Sequence, residues 1–203
     1  VELFMKSDVL IAKGRTLDIL TQAEMIEPYL AIREDLERGA YASYASELLD
    51  RFTYDSDDTH TQFLFELLEQ TFTRLCHDDD FRRVIRHFEL RLLNEVGFRP
   101  ELTNCVILYE DVEPVDQFFS FEDGGVVSVQ GASHTAGLVQ LPVQTLKLLR
   151  FLQRTPYPQT TSLAISEQLH RDAERILLGY ISHILERKVQ SVDFIQRLRR
   201  MSR

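Results

Sequence analysis

Residues 81–105, FRRVIRHFELRLLNEVGFRPELTNC, permit few structures. Asp78, Asp79 and Asp80 precede them, and carboxylates there favour the positive end of a helix dipole. Val84, Phe88 and Leu92 recur every four residues, with Ile85 and Leu93 beside them, which makes one apolar stripe at helical period. Gly97 stands where a helix ends in a left-handed residue, and Pro100 blocks continuation. Arg82, Arg83, Arg86, His87 and Arg91 crowd the same helix. Such a segment is either an ordinary amphipathic helix, with Val84, Phe88 and Leu92 in the core, or a dock for something acidic.

The chain as a whole is acidic, with a net charge of −9 over 203 residues. Nucleic-acid grip across the whole surface is therefore excluded, because phosphate contacts need clustered Lys and Arg. One local basic cluster remains near the end: Arg187, Lys188, Arg197, Arg199, Arg200 and Arg203. Composition, 44% hydrophobic and 27% charged, is that of a globular domain with a sizeable core. Two cysteines, Cys76 and Cys105, are too few for a disulfide framework, which points to a reduced, cytoplasmic setting. No run is long enough to span a membrane and no secretory signal is visible. The opening VELFMKSDVL reads like the interior of a longer polypeptide.

Alternation over residues 1–27, broken around Gly14, predicts two strands of a hairpin, which is marginal alone and needs other strands or a packing partner. Helices are expected over 29–52, 60–77 and 81–96, then 141–154, 166–188 and 191–200. Short connections between the first three predict antiparallel neighbours. Residues 101–134 change character: Val106-Ile107-Leu108, Phe118, Phe119 and Phe121, a Gly124-Gly125 turn, then Val126, Val127 and Val129 predict a small β excursion.

Chemistry-bearing motifs are sparse. Cys76-His77-Asp78-Asp79-Asp80 has metal-binding residue types, and a metal-dependent hydrolase using His77, Asp79 and Asp80 is one alternative reading. Neighbouring residues at a helix end diverge, however, and no second His/Cys pair lies at zinc spacing. Ser133-His134 lacks a nucleophile elbow. There is no P-loop and no dinucleotide fingerprint. A short peptide with acidic residues and an aromatic end would find apolar surface and charge-assisted hydrogen bonds along the arginine-rich helix. A helical adaptor unrelated to DNA is the third reading.

The ordered set of motifs resembles the RecO family of bacterial recombination mediators. Its carriers are Lys13-Gly14-Arg15-Thr16-Leu17-Asp18-Ile19-Leu20, Leu48-Leu49-Asp50-Arg51-Phe52, Arg86-His87-Phe88-Glu89-Leu90-Arg91-Leu92-Leu93, Gly97-Phe98-Arg99-Pro100-Glu101-Leu102, Phe119-Ser120-Phe121 with Gly124-Gly125, and Lys188-Val189-Gln190-Ser191-Val192-Asp193-Phe194. The resemblance implies an α+β, mostly helical fold. Residues 1–27 would be the last strands of an N-terminal OB-fold barrel, 28–203 the helical domain, and about 101–134 a degenerate zinc-finger insertion. It implies action by binding rather than catalysis, in DNA repair and recombination: displacing single-strand DNA-binding protein, loading recombinase and annealing strands. The implied partners are RecR, the acidic, phenylalanine-ended tail of the single-strand binding protein, and single-stranded DNA, the last chiefly through the OB-fold. Tail docking falls on Arg83, Arg86, His87, Leu90 and Leu93; Arg187, Lys188, Arg197, Arg199 and Arg200 are candidates for phosphate contact.

One departure concerns metal. Relatives carry two C-x-x-C pairs in the insertion. Here Cys105 holds the first place, but Leu108, Ser128 and Gly131 hold the others. Structural zinc needs about four ligands, so Cys105 is expected to be the remnant of a lost site, no cofactor is expected, and apolar burial must hold the insertion.

Overall fold

The computed structural model describes residues 2–53, 61–186 and 189–201. Strands β1 (Lys6–Ala12) and β2 (Ile19–Glu27) form the expected antiparallel hairpin. Val9, Leu10, Ile11, Ile19, Leu20, Met25 and Ile26 all lie exposed on it. The hairpin is tied to the helices near its foot, where Lys6 pairs with Glu69 at 2.5 Å and Phe4 meets Phe72 edge-on.

The segment expected as one helix over 29–52 is two: α1 (Leu30–Glu34) and α2 (Leu36–Thr53). Asp35 is extended, with φ −113° and ψ 119°. Its carboxylate accepts from the amides of Glu37 and Arg38 at 2.8 and 3.0 Å, so it caps the second helix instead of continuing the first. Helix α3 (Thr61–His77) follows; His60 and the polar link before it fall outside the described residues. Helix α4 (Phe81–Glu95) opens on Asp80, whose side chain accepts from the Arg83 amide at 3.0 Å. It closes as its sequence predicts: Gly97 adopts φ +84° and the Phe98 amide returns to the Leu93 carbonyl at 2.8 Å.

The insertion contributes β3 (Gln117–Ser120) and β4 (Gly125–Val127), paired antiparallel across the Gly124-Gly125 turn. A third strand, β5 (Val139–Leu141), pairs with the other edge of β3 and was not expected. Val106-Ile107-Leu108 is a turn, not a strand, because the chain folds back there on Cys105. Helices α5 (Val143–Arg154), α6 (Glu167–Ile184) and α7 (Gln190–Met201) complete the fold. Ser166 caps α6 by accepting from the Leu169 amide. The insertion is seated on α6 by aromatic contact: Phe119 meets Tyr180 at 5.6 Å, and Phe121 lies against Gly179, where a Cβ would collide with its ring.

The centre of the molecule is α4. Helices α2, α3, α5 and α6 all pack on it. Val84, Phe88 and Leu92 are fully buried as the stripe requires, and so are Ile85, Leu90 and Leu93. Truncating Phe88 to Ala would cost about 3–5 kcal/mol.

Candidate functional site

Helices α3 and α4 and the short turn Tyr157–Gln159 enclose a cavity of about 280 Å³. Its apolar lining comes from Phe63, Leu67, Pro156, Tyr157 and Pro158, and its polar lining from Glu66, Gln70, Arg74, His87 and Arg91. Each position has a local cause. Leu67 and Arg74 are seven residues apart on α3, His87 and Arg91 four apart on α4, so each pair shares a helix face. Tyr157 stands between two prolines whose rings restrict the backbone that presents it.

The charge balance of this cavity is unusual. The Arg74 guanidinium lies over the Tyr157 ring, 4.4 Å from its centroid. It donates to Gln70 Oε1 at 3.0 Å and reaches His87 Nδ1 at 3.4 Å. Since Arg74 can only donate, Nδ1 accepts, and the ring proton sits on Nε2, facing the Thr155 carbonyl at 3.3 Å. Arg91 donates to that same carbonyl at 3.4 Å. Burial, reinforced by the nearby Arg91 charge, lowers the Arg74 pKa, and no carboxylate contributes to it. Burial and the charges of Arg74 and Arg91 push His87 down to about 4. Two guanidiniums, neither in an ion pair among the described residues, a neutral imidazole and the Glu66 carboxylate thus edge an apolar hollow.

The residues expected to dock a peptide are placed unevenly. His87 lines the cavity; Arg83, Arg86, Leu90 and Leu93 do not. Leu90 and Leu93 are 1% and 0% exposed and belong to the core. Arg86, 4% exposed, sits 2.9 Å from the fully buried Glu89, whose other oxygen accepts from the Tyr44 hydroxyl at 2.5 Å. Burial pushes the Glu89 carboxyl up to about 7 against the pull of Arg86 and Tyr44. Arg83 binds Asp78 and the chain beyond Tyr157. The reading of α4 as a helix with one free face is corrected here, because neighbours cover it on all sides. Arg74 and Tyr157 were missed; the Pro-Tyr-Pro triplet, a rigid aromatic platform, was the available signal.

The basic cluster near the end is described only in part. Arg187 and Lys188 lie outside the described residues. Arg199 is engaged by Glu174 at 2.8 and 3.0 Å and by the Tyr41 hydroxyl at 2.7 Å, while Arg197 and Arg200 are exposed on α7. His77, Asp79 and Asp80 do not converge either. His77 turns to the Thr73 carbonyl, Asp79 meets Arg38, and Asp80 caps α4 beside His170. Among the described residues, no group of three or more His, Cys, Asp or Glu could hold a metal ion.

The four positions of the implied zinc site do come together. The Cys105 sulfur accepts from the amides of Leu108 at 3.4 Å and Ser128 at 3.3 Å. The Gly131 amide donates to Ser128 Oγ at 3.1 Å, and a Cβ on Gly131 would lie 2.9 Å from the sulfur. The four positions offer one thiol, one hydroxyl, a leucine and a glycine drawn in too close for a side chain. These residues do not fit zinc. The lobe over 101–134 carries seven Asp and Glu and no Lys or Arg.

Fold and site define a mostly helical α+β protein with a two-strand hairpin and a small three-strand sheet, and among the described residues no helix is long and apolar enough to cross a membrane. The family model described as "Recombination protein O C terminal" matches residues 33–193. The chain is 31% identical over 198 residues to "DNA repair protein RecO" of Desulforamulus reducens, covering 98% of this chain and 76% of that protein. It is 32% identical over 203 residues to the protein of that name from a Roseiflexus species, covering 100% and 71%. With that of Symbiobacterium thermophilum the identity is 31% over 200 residues, covering 98% and 79%. The chain belongs to the RecO family of DNA repair and recombination proteins.

Proposed function

We propose that this chain works as a recombination mediator by binding, and that the cavity between α3, α4 and Tyr157 receives the acidic, aromatic-ended tail of a single-strand DNA-binding protein. The observation that carries this reading is the pair Arg74 and Arg91. Neither forms an ion pair with a carboxylate among the described residues, yet both border an apolar hollow. A terminal carboxylate would supply the missing countercharge while an aromatic side chain fills the hollow. Docking there would bring the mediator to coated single strands, where it would help displace the coating protein, load recombinase and anneal. RecR is the expected second partner, and the bacterial cytoplasm the setting.

The exposed hairpin fits the end of an OB-fold barrel, with residues 28–203 as the helical domain. In that arrangement the barrel supplies most of the single-strand grip. Exposed Arg197 and Arg200, with Arg187 and Lys188, remain the positions for phosphate contact in the helical part.

The test is fluorescence anisotropy with a labelled acidic peptide ending in Phe. Arg74→Ala and Arg91→Ala should each weaken binding about tenfold, the size of a lost charge-assisted hydrogen bond. Arg82→Ala, remote from the cavity and paired with Glu167, should not. Unchanged affinity in both cavity variants removes the site from this cavity.

A further inference from the structure

The aromatic wall of the cavity is held from behind by an ion pair outside its lining. Arg83 Nη2 donates to both oxygens of Asp78 at 2.8 Å, and the Tyr157 hydroxyl donates to Asp78 Oδ2 at 2.5 Å. Arg83 Nη1 then reaches the carbonyls of Thr161 at 3.3 Å and Leu163 at 3.2 Å. One half-buried carboxylate and one buried guanidinium therefore fasten the turn and the chain just after it to the start of α4. In front, the Tyr157 ring carries Arg74 on its face and meets the His87 ring edge-on at 5.3 Å and 80°.

We propose that Asp78 and Arg83 are positioning residues for the docking cavity: their clasp fixes Tyr157, and the Tyr157 ring in turn holds Arg74 where it meets the ligand's terminal carboxylate. This rests on the docking reading above. An arginine has many rotamers, and a binding site in which it is already ordered does not lose that freedom when ligand arrives. Arg74 has no carboxylate to order it. Its constraints are the ring beneath it, Gln70 and His87. Gln70 lies on Arg74's own helix, whereas His87 and the ring belong to other elements, and the ring is fixed by its hydroxyl through Asp78. Arg83, a residue that sequence placed in the dock, thus acts on it from one layer behind.

A purely structural clasp predicts that loosening it weakens every ligand alike. A positioning clasp predicts a selective loss. The probes are an acidic peptide ending in Phe with a free carboxylate and the same peptide with a C-terminal amide. Both are titrated into the full chain and its Tyr157→Phe and Asp78→Asn variants. Tyr157→Phe keeps the ring and removes a single oxygen, so it carries the test even if Asp78→Asn fails to fold. The unsubstituted protein should prefer the free carboxylate about tenfold. In both variants that preference should shrink to about twofold with amide affinity little changed, since the guanidinium is no longer ordered in advance. Full preference retained in Tyr157→Phe, or equal weakening of both peptides, overturns the clasp and leaves the docking site standing. No preference in the unsubstituted protein overturns the docking site, and the clasp with it.

Discussion

Replacing Arg86 with Met tests whether this arginine is a core countercharge or a surface contact. Arg86 and Glu89 are 4% and 0% exposed, with Arg86 Nε 2.9 Å from Glu89 Oε2. Glu89 has a pKa near 4.5 when unfolded and about 7 in the fold. Between those values the unfolded chain has released a proton that the folded chain keeps, so the stability contributed by Glu89 falls as pH rises from about 4.5 to 7. Above 7 the folded protein ionises too, with Arg86 as countercharge, and the slope levels off. Without Arg86, Glu89 stays protonated in the fold and the decline continues, at about 1.4 kcal/mol for each further pH unit. Arg86→Met should therefore differ little from the parent at pH 6 through this pair. At pH 8 it should lose about 1.4 kcal/mol more than at pH 6. Keeping a carboxylate charged and unpaired in the core would cost about 3–5 kcal/mol, which is why protonation wins. Urea melts at both pH values, repeated on a Glu89→Gln background where the difference should vanish, measure this. An equal loss at pH 6 and 8 refutes the pairing. Lost peptide binding with unchanged stability would return Arg86 to the surface.

Other outcomes follow from the same structure. His87, held near pKa 4 in the fold against 6.5 unfolded, contributes stability that is lost as pH falls from about 6.5 towards 4, by up to about 3 kcal/mol and opposite in sign to Glu89; on the Glu89→Gln background His87→Leu should flatten that limb of a melting-temperature profile. Gly179→Ala places a methyl group in the Phe121 ring and should cost about 1–3 kcal/mol in urea unfolding, whereas an unchanged midpoint would mean that the insertion can lift off α6. Elemental analysis of purified protein should find zinc well below one equivalent, and chelator should leave the melting temperature unchanged, because the four positions around Cys105 offer too few donors. Single-strand DNA titrations should show weak binding with a shallow salt slope, given the net charge of −9. Tight, steep binding would overturn that expectation.

Local signals carried far in this chain because many are strictly local in origin. Asp80 caps α4 and Gly97 ends it through bonds within a few residues. The hairpin and the Gly124-Gly125 turn are likewise written in adjacent residues. The break at Asp35 was missed although its cap is local, since periodicity alone runs on through a capping aspartate. Strand β5 has only three residues and exists because β3 has an open edge beside it, a long-range fact without a sequence period.

The misplaced docking residues have a deeper cause. An amphipathic reading assumes that a helix has one partner and one solvent face, so polar residues on the second face must be free. That holds for a helix at the rim of a bundle and fails for α4, which neighbours surround. There, buried charged residues need partners: Arg86 has Glu89 on its own helix, while Arg83 meets Asp78 and Glu89 also meets Tyr44 of α2. Asp78 and Tyr44 lie 5 and 45 residues away in sequence. Crowded arginines on a central helix are thus evidence of buried pairing before they are evidence of a ligand. The informative arginines are those that border an apolar hollow without an ion pair to a carboxylate, Arg74 and Arg91, and only the folded neighbourhood separates them from the rest.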